Sequence, residues 1–188
     1  MSFEAVYYGK TQGFEGGYVN DPSDSGGETF RGISRRSNPK WVGWAYVDEA
    51  KRKVGTKAAA INRYFKDDDE MASLVASLYQ NLYWNPLNGI PELPDRVKMK
   101  LFDTAVNTGQ NPAVQILQIA LNRNGAKLSV DGKLGPLTRQ AALSKDPDAT
   151  LKAFSGAQAD YYTGLVRKNP KNAKFLKGWL NRAAWLPC

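Results

Sequence analysis

Apolar residues recur three and four positions apart through most of this chain, and that spacing predicts amphipathic helices. Met71, Leu74, Val75, Leu78 and Leu82 form one stripe, and Val97, Leu101, Ala105 and Val106 a second. Val114, Leu117 and Leu121 form a third, and Leu151, Phe154, Tyr161 and Leu165 a fourth. A last segment, Lys174 to Trp185, carries Phe175, Leu176, Trp179, Leu180 and Ala183, and such a stripe is expected to pack on the core. Near the start, Phe3, Val6 and Tyr7 predict a short helix over 2–13, ended near Gly13. The pattern then changes. Tyr18-Val19 and Thr29-Phe30-Arg31-Gly32-Ile33 read as strands, and the Asp-Pro-Ser-Asp-Ser-Gly-Gly run between them is turn chemistry. The predicted fold is mainly α, with a small β-hairpin lobe near the N-terminus. Pro86, Pro91 and Pro94 interrupt the chain between 85 and 96, which predicts two parts, 1–95 and 96–188, packed as one compact globule.

Composition narrows the chemistry. The 188 residues include no histidine, which removes Ser-His-Asp, Cys-His and His-metal sites. The single cysteine, Cys188, excludes an internal disulfide and leaves a zinc cluster without ligands. No apolar run is long enough to span a membrane, and the start shows no basic end followed by an apolar stretch, so no secretory signal is expected. An enzyme built from these residues is expected to work with carboxylates. The net charge of +8 is unevenly placed: residues 1–112 are neutral overall, and the whole excess falls in 113–188. A basic face speeds encounter with an anionic partner, while the alternative is a solvated surface that aids solubility.

The residues most able to carry chemistry cluster early. Glu15 precedes Gly16-Gly17, which are expected to let the backbone turn sharply and leave open space beside the carboxyl group. Asp24 lies nine residues on, and Thr29 five further, on the returning strand. A helix end and a hairpin then present two carboxyl groups and a hydroxyl across a cleft. Glycosidic cleavage needs one protonated acid and a second, ionised group. Burial against Phe14 or Tyr18 would raise the pKa of Glu15, Asp24 in a polar turn would stay ionised, and Thr29 would hold a water molecule. Asp21 is the alternative second carboxylate. The competing reading makes Glu15 a solvated helix end and Asp21 and Asp24 ordinary turn residues.

Two other motifs have structural readings. Asp67-Asp68-Asp69-Glu70 is expected to be the acidic first turn of a helix, with a cation site as the alternative. In Val130-Asp131-Gly132-Lys133-Leu134-Gly135-Pro136, Asp131-Gly132 is expected to set a bend and Pro136 to start a helix; Asp131 has no alternating ligands for calcium.

The run Glu15-Gly-Gly-Tyr-Val-Asn-Asp-Pro-Ser-Asp-Ser-Gly-Gly-Glu-Thr-Phe-Arg-Gly-Ile33 resembles the signature of the glycoside hydrolase family 108 muramidases, which are phage endolysins and secretion-associated lysozymes. Phe102-Asp-Thr-Ala-Val-Asn-Thr-Gly109 is similar to a second segment of that family. Leu117-Gln118 with Val130 to Thr138 resembles its peptidoglycan-binding half, and Lys177-Gly-Trp-Leu-Asn-Arg182 its C-terminal helix. The resemblance implies a lysozyme-like fold that hydrolyses the β-1,4 bond between N-acetylmuramic acid and N-acetylglucosamine, with Glu15 as catalytic acid. Phage lysozymes of the T4 type use a glutamate, an aspartate nine residues later and then a threonine. Glu15, Asp24 and Thr29 are similar in order, although the threonine spacing differs by a residue. Tyr18, Asn20, Asp103 and Asn107 are the candidates to line the sugar cleft; for Asp103 and Asn107 the alternative is hydrogen bonding to neighbouring backbone.

The expected partner is peptidoglycan, with anionic lipopolysaccharide or a membrane surface as a further contact. No nucleic acid, metal or cofactor is expected, and the protein is expected to be a monomer. The expected setting is an endolysin made in the bacterial cytoplasm and acting on the periplasmic wall. Three rivals stay open: a lytic transglycosylase, a secretion-associated bacterial muramidase, and a non-catalytic cationic wall- or membrane-binding protein.

Overall fold

The computed structural model describes residues 3, 7, 16–20, 27–88 and 93–187. Most of the predicted first helix therefore lies outside the described residues, as do Glu15, Asp21, Asp24 and Cys188. Contacts divide the chain into two compact units, 1–84 and 85–188.

In the first unit, β1 (Tyr18–Asn20), β2 (Glu28–Phe30) and β3 (Ile33–Ser34) form an antiparallel sheet in that order. Three strands stand where the sequence predicts a hairpin, because Arg31-Gly32 turn the chain back at once. Both residues have positive φ, 44° and 77°, the geometry of a two-residue hairpin turn whose twist suits its strands. Glycine adopts this freely, but Arg31 does not, and it is held on three sides. Its N–H donates to Gly17 O at 3.0 Å, its guanidinium to Phe65 O at 2.8 Å, and its carbonyl accepts from the Tyr79 hydroxyl at 2.9 Å.

Helices α1 (Gly43–Val54), α2 (Ala58–Tyr64) and α3 (Asp69–Tyr79) follow, and α3 runs on into a π-helical turn over Gln80–Trp84. Asp68 caps α3 by accepting from Met71 N at 2.8 Å, with Asp69 and Glu70 in the first turn. The acidic run thus satisfies free N–H groups and the helix dipole, as expected. The core of this unit is aromatic. Phe30 meets Phe65 edge-on at 5.2 Å, Trp41 meets Trp44 at 5.2 Å, and Tyr7 lies 5.3 Å from Tyr79. Rings supply much buried area per residue, which suits a short sheet with few strands.

The second unit opens with the short α4 (Asn85–Asn88) and continues with α5 (Asp95–Thr108), α6 (Gln110–Arg123), α7 (Pro136–Ser144), α8 (Pro147–Lys168) and α9 (Ala173–Ala184). α8 packs against α6, α9 and α5. Leu101, Phe102, Ile116, Leu117, Leu121, Leu151 and Phe154 fill its core. α5 is buried on nearly every side, including Lys100, Asp103 and Thr104. A fully buried polar stretch needs internal partners, and α9 supplies several. Lys100 Nζ donates to the carbonyls of Arg182, Ala183 and Trp185 at 3.2, 2.8 and 2.7 Å. These carbonyls lie at the C-terminal end of a helix, where intrahelical N–H partners run out and a cation also meets the negative pole. Asp103 takes Arg182 in a two-pronged pair, 3.0 Å at each oxygen.

The α9 stripe departs from expectation. Phe175 and Leu180 are 48% and 37% exposed and Arg182 turns inward, whereas Ala183 is buried as expected. Pairing with Asp103 holds the cation on the core side, while Trp179 keeps an inward contact by stacking on Tyr162 at 5.2 Å. No described helix is long and apolar enough to cross a membrane.

Candidate functional site

Alternation along the small sheet sorts its residues between two faces. Tyr18 and Phe30 pair across the strands, as do Asn20 and Glu28, on one face; Val19, Thr29 and Ser34 share the other. Thr29 is half-buried and its hydroxyl donates to Gly27 O at 3.2 Å, which leaves its oxygen able to accept from water. Asn20 is exposed at the strand end.

Tyr18 differs from expectation. Its ring is only 2% exposed, so it does not offer a face for a sugar to stack on. Its hydroxyl donates to Glu28 Oε1 at 3.0 Å, and burial followed by the Glu28 hydrogen bond raises its pKa. Glu28 also pairs with Arg35 at 2.8 Å and with Lys51, and Arg35 and Lys51 both reach Asp48. The Arg35 hydrogen bond, only partly offset by burial, holds the Asp48 carboxyl below its usual range. This cluster ties β1, β2 and α1 together. In the sequence its only signal is that Glu28 falls in the strand period of Phe30.

The backbone just after Glu15 is also fixed. Asn62 of α2 accepts from Tyr18 N at 2.6 Å and donates to Tyr18 O at 3.4 Å. Its amide sits where a side chain at Gly17 would go: a Cβ there would fall 2.3 Å from Asn62 Oδ1. Gly17 has no positive φ. Its requirement is close approach of a neighbour rather than the sharp turn expected from the sequence. A Cβ at Gly16 meets nothing within 4 Å.

Asp103 and Asn107 both lie on α5, in the second unit. Asp103 is fully buried and engaged by Arg182, so it does not line a solvent-facing cleft. Removing a carboxylate from water is compensated here by the guanidinium, which makes it a structural group. Asn107 is exposed, and its Oδ1 accepts from the Tyr162 hydroxyl at 2.6 Å.

The Val130–Pro136 motif forms a braced loop between α6 and α7. Two amides one helical turn apart on α6 hold it. Asn122 bonds both ways with Leu128, at 2.9 and 2.7 Å. The buried Gln118 donates to Asp131 Oδ1, Lys133 O and Thr138 Oγ1 at 2.8, 3.1 and 3.2 Å, and accepts from Gly132 N at 3.0 Å. Asp131 Oδ1 also accepts from Lys133 N at 2.9 Å, and the Gln118 hydrogen bond leads in lowering the Asp131 pKa. Gly132 takes φ 73° and Pro136 begins α7, as expected from the motif. Among the described residues no group of acidic or cysteine side chains has the arrangement of a metal site.

The described residues thus form a helix-rich unit carrying a small antiparallel sheet and a second, helical unit with a braced loop. The sequence profile of Glycosyl hydrolase 108 matches residues 8–109, more than half of the chain, and the chain belongs to that family. The Predicted Peptidoglycan domain matches residues 112–184. Among solved structures, Brucella abortus SagA is similar at 25% identity, with a TM-score of 0.61 over 96% of this chain and 88% of that one. No curated protein sequence matches. The protein is a peptidoglycan-degrading muramidase with a lysozyme-like, mainly α fold, and peptidoglycan is its partner.

Proposed function

We propose that this chain is an endolysin that hydrolyses the β-1,4 bond between N-acetylmuramic acid and N-acetylglucosamine, with Glu15 as general acid. The observation that carries this reading is the family match over 8–109, which takes in the whole Glu15–Ile33 run. In this mechanism Glu15 gives its proton to the bridging oxygen as the bond to the muramic acid carbon breaks. Asp24, ionised, stabilises the positive charge that develops on the sugar; water held by Thr29 then bonds to that carbon through its oxygen and gives up a proton to the Asp24 carboxylate, which completes hydrolysis. The Asn62 clamp on Tyr18 supports the reading, because a general acid must be held within hydrogen-bond reach of its target. The proposed setting is the bacterial periplasm, with the protein acting as a monomer. Phe175 and Leu180, exposed beside Lys174 and Lys177, favour a second contact with an anionic lipopolysaccharide or membrane surface.

The test is mass spectrometry of fragments released from purified Gram-negative sacculi by wild type and Glu15→Gln. Wild type is expected to release reducing muramic acid ends, and Glu15→Gln is expected to lose at least a hundredfold in rate, the scale of a general acid's contribution of about 10²–10⁴. Anhydro ends would instead identify a transglycosylase. A fully active Glu15→Gln would remove Glu15 from the mechanism.

A further inference from the structure

The braced loop and the first turn of α7 enclose a pocket of about 210 Å³. It is lined only by residues of the second unit, none of which is assigned to cleavage. Its floor is Gln118 and Thr138, and its walls include Leu128, Pro136 and Leu137. Leu137 is 72% exposed, the most exposed of the large apolar side chains described. Asp131 and Lys133 stand at the rim, two residues apart in the chain and both exposed. Gln118 and the Lys133 N–H occupy Asp131 Oδ1, while among the described residues Oδ2 and the Lys133 ammonium have no hydrogen-bond or ion-pair partner.

The size and lining select the class of ligand. A volume of this order holds one amino-acid side chain rather than a disaccharide, since pockets for larger small molecules run to about 300–1,000 Å³. The lining holds no aromatic ring on which a pyranose would stack. It offers a short apolar trough with one anion and one cation at its mouth. That pattern complements an aliphatic chain ending in both an ammonium and a carboxylate. Peptidoglycan carries such a group where its peptide stems contain diaminopimelate, whose far end is a free amino acid on a methylene chain. Stem carboxylates also suit a half-chain that carries the entire net charge of +8.

We propose that this pocket receives the peptide stems of peptidoglycan, with Asp131 on the diaminopimelate ammonium, Lys133 on its carboxylate, and Leu128, Pro136 and Leu137 along the methylenes. The inference rests on the muramidase reading for its substrate and adds a part of that substrate which cleavage does not touch. The side chains that brace the loop are satisfied internally, so the pocket is formed before ligand arrives and binding orders little else.

The test is a titration of the isotope-labelled whole chain, followed by amide NMR, with the tripeptide L-alanyl-γ-D-glutamyl-meso-diaminopimelate. The control is the same tripeptide with L-lysine, which keeps the ammonium but lacks the far carboxylate. Shifts confined to 128–138 are expected for the diaminopimelate peptide, with the lysine peptide at least tenfold weaker. Lys133→Glu is expected to weaken the first peptide at least tenfold while its other resonances report an intact fold. Leu137→Ala is expected to weaken both peptides alike. Equal affinity for the two peptides, silence over 128–138, or a Lys133→Glu variant that binds like wild type would overturn the proposal. Sacculus digestion on the same samples separates the two readings. Released glycan with a silent pocket removes only the peptide site, and a responsive pocket without released glycan removes only the cleavage assignment.

Discussion

Lys100 carries a full charge in a place where water does not reach, and its surroundings set the pH response of the second unit. Burial, partly offset by Asp103, lowers its pKa to about 8. In the unfolded chain it titrates near the ordinary lysine value of about 10.4. Between those values the unfolded chain binds the extra proton, so stability rises with pH across that window, by up to about 3 kcal/mol. Tyr162 acts in the opposite direction at higher pH. Burial pushes its pKa up to about 12, so above about 10 the unfolded chain sheds a proton that the native chain keeps, and stability falls. Denaturant unfolding of the whole protein is therefore expected to show a higher midpoint at pH 9.5 than at pH 8. Lys100→Met is expected to flatten that rise, and a variant with an unchanged slope would show that Lys100 is not its source. Asp103 gives the companion prediction. Asp103→Asn leaves Arg182 buried beside a neutral amide and is expected to cost about 3 kcal/mol, with cleavage per folded molecule unchanged. A loss of activity without a loss of stability would return Asp103 to the cleft.

At the scale of elements, periodicity was informative where one face alone is buried. The stripe of α3 was legible for this reason, and Met71 and Val75 turn inward; the α5 and α6 stripes named residues that are buried, Val97, Leu101, Leu117 and Leu121, but not how far burial spreads around those two helices. The α8 stripe drifts. The sequence favours Tyr161 and Leu165, whereas the helix buries Ala157, Gln158 and Tyr162, because small and hydrogen-bonded residues fit where four helices meet. β3 is too short to show a period and exists only by pairing with β2, Thr29 with Ser34 and Phe30 with Ile33. The clamp between α2 and β1 was also invisible, since Asn62 lies 44 residues from Tyr18 in the chain. It predicts coupled mutants. Gly17→Ala alone is expected to destabilise the protein by about 1–3 kcal/mol through overpacking against Asn62. In an Asn62→Ala background the three atoms nearest the added methyl are gone, so its cost is expected to fall by more than half, as residues in contact are not additive. Equal costs in both backgrounds, measured by urea unfolding, would show that the two do not touch.

At the scale of the whole molecule, charge and packing divide the chain differently from family likeness. The Glycosyl hydrolase 108 match extends to residue 109 and so includes α5, yet α5 packs with α6 and α8 in the second unit. The basic excess confined to 113–188 predicts that sacculus binding weakens steadily with salt, because exposed charges are screened beyond about 10 Å at 0.1 M. Pelleting with sacculi from low to high salt measures this, and binding indifferent to salt would assign the affinity to uncharged contacts. The order and kind of residues determined the mainly helical class, the absence of histidine and disulfide chemistry, and the family motif around Glu15, since each depends on local spacing or on composition. Tertiary structure alone decided that Asp103 is a structural ion, that Tyr18 faces the core, that Gly17 makes room for Asn62, and that Asp131 and Lys133 flank a pocket. Each of these depends on which distant side chain arrives beside it, and burial, pairing and close approach are properties of that meeting rather than of either residue.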